Sequence, residues 1–224
     1  VLKLIATRIE PTLMLVICSV ILSVLIAVPL AAIAARQNGK LSDHVIRTVS
    51  TFGIGFPPFW LALMLIILFS VKLDLLPVSG YGNTFRDKLA HLILPSLTIA
   101  LSLSTVLARS LRAAMIQSLN SDVATAARAR GMPESIVFWR HVLPNSLVPT
   151  VNLLAVNIGW LIGSTVVVES VFALPGMGQL LVRAIFSRDY MVVQGVAMVF
   201  ACATVLVNFM ADIATVALDP RVKL

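Results

Sequence analysis

Five stretches of this chain are almost free of charge: Thr12–Ala35, Gly53–Val71, Leu92–Leu107, Leu147–Phe172 and Met191–Val216, all rich in Leu, Val, Ile and Ala. A helix that crosses a bilayer needs about 20 mainly apolar residues, so the pattern predicts five spans. The third stretch is the shortest. Residues 108–119 continue it as a helix into water, which sets Arg109 and Arg112 at or beyond the interface. Between the spans the chain turns polar and basic, with turn-rich runs at Leu76–Gly82 and Pro175–Gly178.

Composition agrees with the pattern. Of 224 residues, 59% are hydrophobic and 12% charged, and the mean hydropathy is +1.00. Soluble domains are about 45–50% apolar and roughly 25% charged. The chain is therefore expected to be an all-α polytopic transmembrane helical bundle with the lipid bilayer as its solvent. The net charge of +7 does not indicate nucleic acid, because the basic residues sit mainly in short loops between apolar runs. Cys18 and Cys202 both lie inside apolar runs, as small buried residues do, and form no disulfide framework.

The loops give the orientation. One side of the five spans collects Arg36, Lys40, Arg47, Arg109, Arg112, Arg128, Arg130, Arg140, Arg221 and Lys223; the other has Lys3, Arg8, Lys72, Arg86, Lys88, Arg183 and Arg188. By the positive-inside rule the richer side is cytoplasmic, and the C-terminus lies there. Five spans then put residue 1 outside with no signal peptide. The expectation is a full protein of six spans from which the first helix is missing here.

Catalytic chemistry is not indicated. His44, His91 and His141 lie in different segments without paired spacing, and no phosphate-binding GxxxxGK[ST] loop is present. Ser164 lies in an apolar run, with no histidine deep in another span. The chain is expected to be no enzyme, to hold no metal and to carry no cofactor of its own. Glu169 and Asp212 are the carboxylates within apolar stretches, each near a helix end. An acid in hydrocarbon is costly and commonly functional, so Glu169 is a candidate for the pathway or for fixing the outer loop. A proton-coupled carrier would want such groups near the midplane, where these stretches have none.

The segment between the third and fourth spans, Ser121–Pro144, is too long for a turn. Ala124–Arg130 consists of good helix formers plus Thr125. Gly131 suits a helix end with positive φ. Pro133 and Glu134 suit the first turn of a second helix, running to about His141, after which Pro144 ends the element. Ala126 and Ala127 give the first helix a face with nothing beyond Cβ. Val137, Phe138 and Trp139 give the second an apolar surface. Composition leaves two uses open: docking on a partner, or resting on lipid.

Thr125-Ala126-Ala127, three residues, Gly131, nine residues, then His141-Val142-Leu143-Pro144 closely resembles the "EAA" loop of ABC importer permeases. The family pattern reads Glu-Ala-Ala, three residues, Gly, nine residues, Ile, any residue, Leu-Pro; here Thr125 replaces the Glu and His141 the Ile, as in the peptide/nickel subfamily. Leu76–Gly82, Val168–Phe172 with Leu174–Leu180, and the tail Asp219-Pro220-Arg221-Val222 resemble the B-type permeases of dipeptide, oligopeptide and nickel importers.

The resemblance implies a permease domain over 1–224 lacking the family's first helix, with a cytoplasmic coupling loop over 121–144. It implies a bacterial inner membrane location and a heterodimer with a C-type second permease subunit. Two ABC ATPase subunits would hold ATP and Mg, and an extracytoplasmic solute-binding protein would deliver dipeptides, oligopeptides, nickel or glutathione. Ala126, Ala127, Arg128, Gly131 and Pro144 would then couple to an ATPase. Glu169, Pro175, Gly176 and Gly178 would shape the outer gate or the binding-protein contact. Gly53, Gly55, Pro57 and Pro58 would bend or widen the second span. The competing readings are a stand-alone carrier or channel and an intramembrane enzyme.

Overall fold

A computed structural model describes residues 1–218; the tail motif at Asp219–Val222 and the charges of Arg221 and Lys223 lie outside the described residues. Eight helices follow in order: α1 Leu2–Arg36, α2 Leu41–Gly55, α3 Pro58–Lys72, α4 Phe85–Leu119, α5 Asp122–Ala129, α6 Glu134–Val171, α7 Met177–Phe186 and α8 Tyr190–Leu218. Among the described residues α1, α4, α6 and α8 are long and apolar enough to cross a membrane.

The second predicted span is corrected. Phe56 and Pro57 are both extended, so the chain breaks between α2 and α3. Each precedes a proline, whose ring disfavours helical backbone in the residue before it. What remains of this span, α3, is a shorter apolar helix whose second half, Ile66–Lys72, is π-helical. Gly53 allows α2 to reach α4, since a Cβ there would stand 2.8 Å from the Thr105 methyl.

The core runs along α1 and α4. On α1 the buried row Leu15, Ser19, Ser23, Ala27, Ala31 and Ala35 recurs every fourth residue, placing small side chains on one helical stripe. Small residues let two helix backbones approach closely without a hydrophobic driving force between them. On α4 the facing residues include Leu92, Ile99, Leu103, Leu107 and Leu111, all buried. The hydroxyls of Ser19 and Ser23 donate to carbonyls of their own helix, at Leu15 and Val20, so they bring no unsatisfied polar group into the seam.

Helix α1 also marks the two ends of the bundle. Thr12 and Arg36 are 24 residues apart, roughly 36 Å at the helical rise, enough to cross a hydrocarbon core of about 30 Å. The turns after α3 and after α6 gather at the Thr12 end. The α1–α2 turn, α5 and the start of α6 gather at the Arg36 end. Helix α8 runs antiparallel to α6, and Thr215 near its end donates to Asn152 Oδ1.

Candidate functional site at the two ends of the bundle

At the Arg36 end, α5 and the first turns of α6 form the predicted helix pair. Ser121 Oγ caps α5 by accepting from the Ala124 amide. The helix closes with two bonds, Met132 N to Ala127 O and Gly131 N to Arg128 O, at 3.3 and 2.9 Å. This is the Schellman arrangement, and it needs Gly131 at φ +76°. No atom lies within 4 Å of where a Gly131 Cβ would stand, so the glycine is required by backbone conformation and not by crowding.

The two alanines divide their work. Ala127, with Ala124, is buried against Ala31, Ala35, Met115 and Phe138 of the protein's own core, whereas Ala126 faces outward. The expectation of one shared docking face is corrected: helical periodicity turns adjacent residues by about 100°. The outward surface of the pair includes Val123, Ala126, Arg130, Ile136 and Trp139. Val137 and Phe138, expected as surface, are buried. The Arg36 guanidinium lies 4.2 Å from the centre of the Phe138 ring, a cation–π contact that ties α1 to the pair. Arg128 donates to Glu134 Oε1 at 2.6 Å and to the Leu119 carbonyl at 3.0 Å, so it joins α5 to both α6 and α4.

Pro144 does not end the element. The helix runs unbroken from Glu134 to Val171. Over Val137–Val142, just ahead of the proline, the backbone widens to π-helical bonds, and the Asn145 side-chain amide donates to the His141 carbonyl at 2.8 Å. Local π turns and side-chain donors of this kind re-satisfy the backbone around a proline.

A second clamp at this end was not anticipated. Asp43 of α2 is buried and accepts two bonds of 2.6 Å from Arg112 of α4, with a third, at 3.0 Å, from the Gly39 amide. Arg112 also reaches Asn38. The Arg112 guanidinium holds the Asp43 carboxyl below its ordinary value.

At the Thr12 end, Glu169 is fully buried. Its Oε1 accepts from Thr12 Oγ1 at 2.7 Å, and its Oε2 from the Gln179 amide at 3.0 Å. Thr12 Oγ1 in turn accepts from the Met177 amide at 2.8 Å. The carboxylate thus sits at the N-terminus of α7, where free amides and the helix dipole favour negative charge. These bonds tie Glu169 to α1 and to the start of α7. Gly176 and Gly178 follow from this arrangement. A Cβ on Gly176 would fall on the Glu169 carboxylate, and one on Gly178 would stand 2.6 Å from Val166 Cα. Pro175, half-buried, precedes the pair. The Gly80 amide donates to the Phe172 carbonyl and Tyr81 OH to Met14 Sδ, so the Leu76–Gly82 run packs on the same end.

A family model described as "Binding-protein-dependent transport system inner membrane component" matches residues 27–224. A glutathione transport system permease protein of Escherichia coli K12 is 37% identical over 219 residues, covering 98% of this chain and 70% of the relative. A putative peptide permease protein of Brucella ovis is 35% identical over 225 residues, with the same coverage. Among solved structures, an inward-facing methionine ABC transporter aligns with a TM-score of 0.79 at 18% identity over 97% of both chains. An amino acid ABC transporter solved with histidines gives 0.71 at 17% identity, over 95% of this chain and 93% of that one.

Proposed function

Because this chain belongs to the family of binding-protein-dependent transport inner membrane components, we propose that it is a pathway-forming permease subunit of an ATP-driven importer for short peptides or peptide-like solutes. The glutathione and peptide permeases among its relatives support the cargo class. Its partners are a C-type second permease subunit, two ATPase subunits that hold ATP and Mg, and a solute-binding protein outside. Residues 121–144 are its coupling loop within a permease domain over 1–224, and the basic Arg36 end, with the C-terminus, faces the cytoplasm.

One observation carries this reading: the coupling pair is continuous with a membrane helix. A push on the outward face of α5, at Ala126, passes through the Gly131 turn and the Arg128–Glu134 ion pair into α6. Helix α6 has 38 residues without a break, roughly 57 Å at the helical rise. Its far end carries Glu169, which holds Thr12 and the α7 N-terminus. Motion at the ATPase side is thereby delivered to the outer side. Nucleotide can shift the two-state equilibrium only through differential affinity for the two states, which the docked loop supplies.

The test is uptake into proteoliposomes holding all five subunits of the importer described above, assayed with and without internal ATP. Accumulation of a di- and tripeptide mixture only with ATP and binding protein supports the proposal. Equilibration without ATP would instead make the chain a stand-alone carrier.

A further inference from the structure

The break between α2 and α3 opens a cavity of about 430 Å³, walled by Phe56, Pro57, Ser102, Asn157 and Trp160. Its depth is informative. Ser102 lies halfway along α4, between Phe85 and Leu119, and Asn157 halfway between Leu143 and Val171 of α6. Each is about 20 Å or more from either end of its helix at the helical rise, and Ser102 is seven residues, roughly 10 Å, from Arg109, so both lie within the apolar part of the bundle.

Both polar groups have unused hydrogen-bonding capacity. The Ser102 hydroxyl is buried and has no partner among the described residues. Asn157 uses one amide hydrogen on the Leu153 carbonyl, at 2.7 Å, which leaves one N–H donor and the Oδ1 acceptor. The walls around them are aromatic. Phe56 stacks on Trp60 with ring centres 4.6 Å apart, and Trp160 is 54% exposed. No lining residue is charged, and none is a His or Cys. The size lies within the roughly 300–1,000 Å³ of small-molecule sites, which pair apolar walls with a few placed polar groups.

We propose that this cavity is an intramembrane subsite for an amide-bearing solute, with Asn157 and Ser102 meeting its amide groups and Phe56 and Trp160 covering its apolar part. The inference rests on the importer reading above and narrows its cargo. A site that offers a donor, acceptors and ring faces suits a peptide backbone, whose amides both donate and accept. It offers a transition-metal ion no anionic or imidazole ligand. Uncharged walls also let a zwitterionic peptide leave, since no fixed charge holds it.

The test uses the complete reconstituted transporter and reads peptide taken up per ATP hydrolysed, by mass spectrometry of a defined di- and tripeptide mixture that includes glutathione. Nickel chloride is a parallel probe. Asn157→Leu and Ser102→Ala are each expected to lower the ratio about fivefold or more, the effect of one lost hydrogen bond. Asn157→Gln should recover much of it. Co-purification of all subunits excludes misassembly. Unchanged ratios in both variants overturn the subsite, as does nickel uptake in place of peptide uptake by the unaltered transporter. ATP-independent uptake by the unaltered transporter overturns the importer reading itself, an outcome that involves no substitution and so is separable.

Discussion

Replacing Thr12 by Val removes one hydroxyl and almost no volume, and it opens two hydrogen bonds at once. The hydroxyl donates to Glu169 Oε1 at 2.7 Å and accepts from the Met177 amide at 2.8 Å. Both partners are buried. Each buried polar group left without a partner costs about 1–3 kcal/mol, and more where a charged group is involved. Because Glu169 keeps its bond from Gln179, the lower half of the summed range applies, about 2–4 kcal/mol. Thr12→Ser is the control. It keeps both bonds and loses one methyl group, about 0.8 kcal/mol. Unfolding in an SDS mixed-micelle titration measures the global difference. Hydrogen exchange at Met177–Gln179 reads the α7 N-terminus directly, and exchange there should accelerate in Thr12→Val alone. If the two variants unfold within about 0.5 kcal/mol of each other, and exchange at α7 is the same, then the Thr12–Glu169–α7 cap does not hold this end.

Gly131→Val should leave insertion intact but uncouple uptake from ATP hydrolysis, since a side chain at φ +76° costs about 1–2 kcal/mol and the turn between α5 and α6 is lost. Gly131→Asn should be milder, and normal uptake per ATP in the Val variant would remove Gly131 from the coupling path. For Asp43, the folded carboxyl lies below its ordinary value of 3.8, so its ion pair with Arg112 contributes in full above that value and fades as pH falls through the lower folded value. Asp43→Asn should therefore destabilise the protein equally at neutral pH and at mildly acidic pH. The gap to the unaltered chain should close only below 3.8, and a gap already closing near neutrality would contradict the clamp.

The apolar runs at α1, α4, α6 and α8 were legible because nothing but lipid accommodates so many uncharged residues in sequence. Most of their ends were not. The run of α4 to Leu119 was expected, but α1 begins at Leu2 and α4 at Phe85, because polar residues extend a helix into the interface and carry no apolar signal. The α2–α3 break had a visible cause in Pro57 and Pro58, but a kink and a full interruption look alike in sequence. Gly131 was legible through its neighbours, since a glycine after six good helix formers and a threonine has few other uses. The different facing of Ala126 and Ala127 was not, because two alanines carry no amphipathic contrast. Pro144 misled for a physical reason: a π turn and the Asn145 side chain together satisfy the carbonyls a proline leaves free. The bonds of Glu169 to Thr12, and of Asp43 to Arg112, span 157 and 69 residues, and no local pattern reports contacts at that separation.

The coupling role of this chain depends on α5 meeting an ATPase. With Cys18 and Cys202 replaced by alanine, Ala126→Cys, on the outward face, is paired with single cysteines along the groove of the co-expressed ATPase subunit and oxidised with and without nucleotide. A disulfide from position 126 whose yield changes with nucleotide is expected, and none from the buried position 127. Absence of any cross-link from 126 across the groove, in an assembly that still co-purifies, would contradict that role and return α5 to the lipid surface.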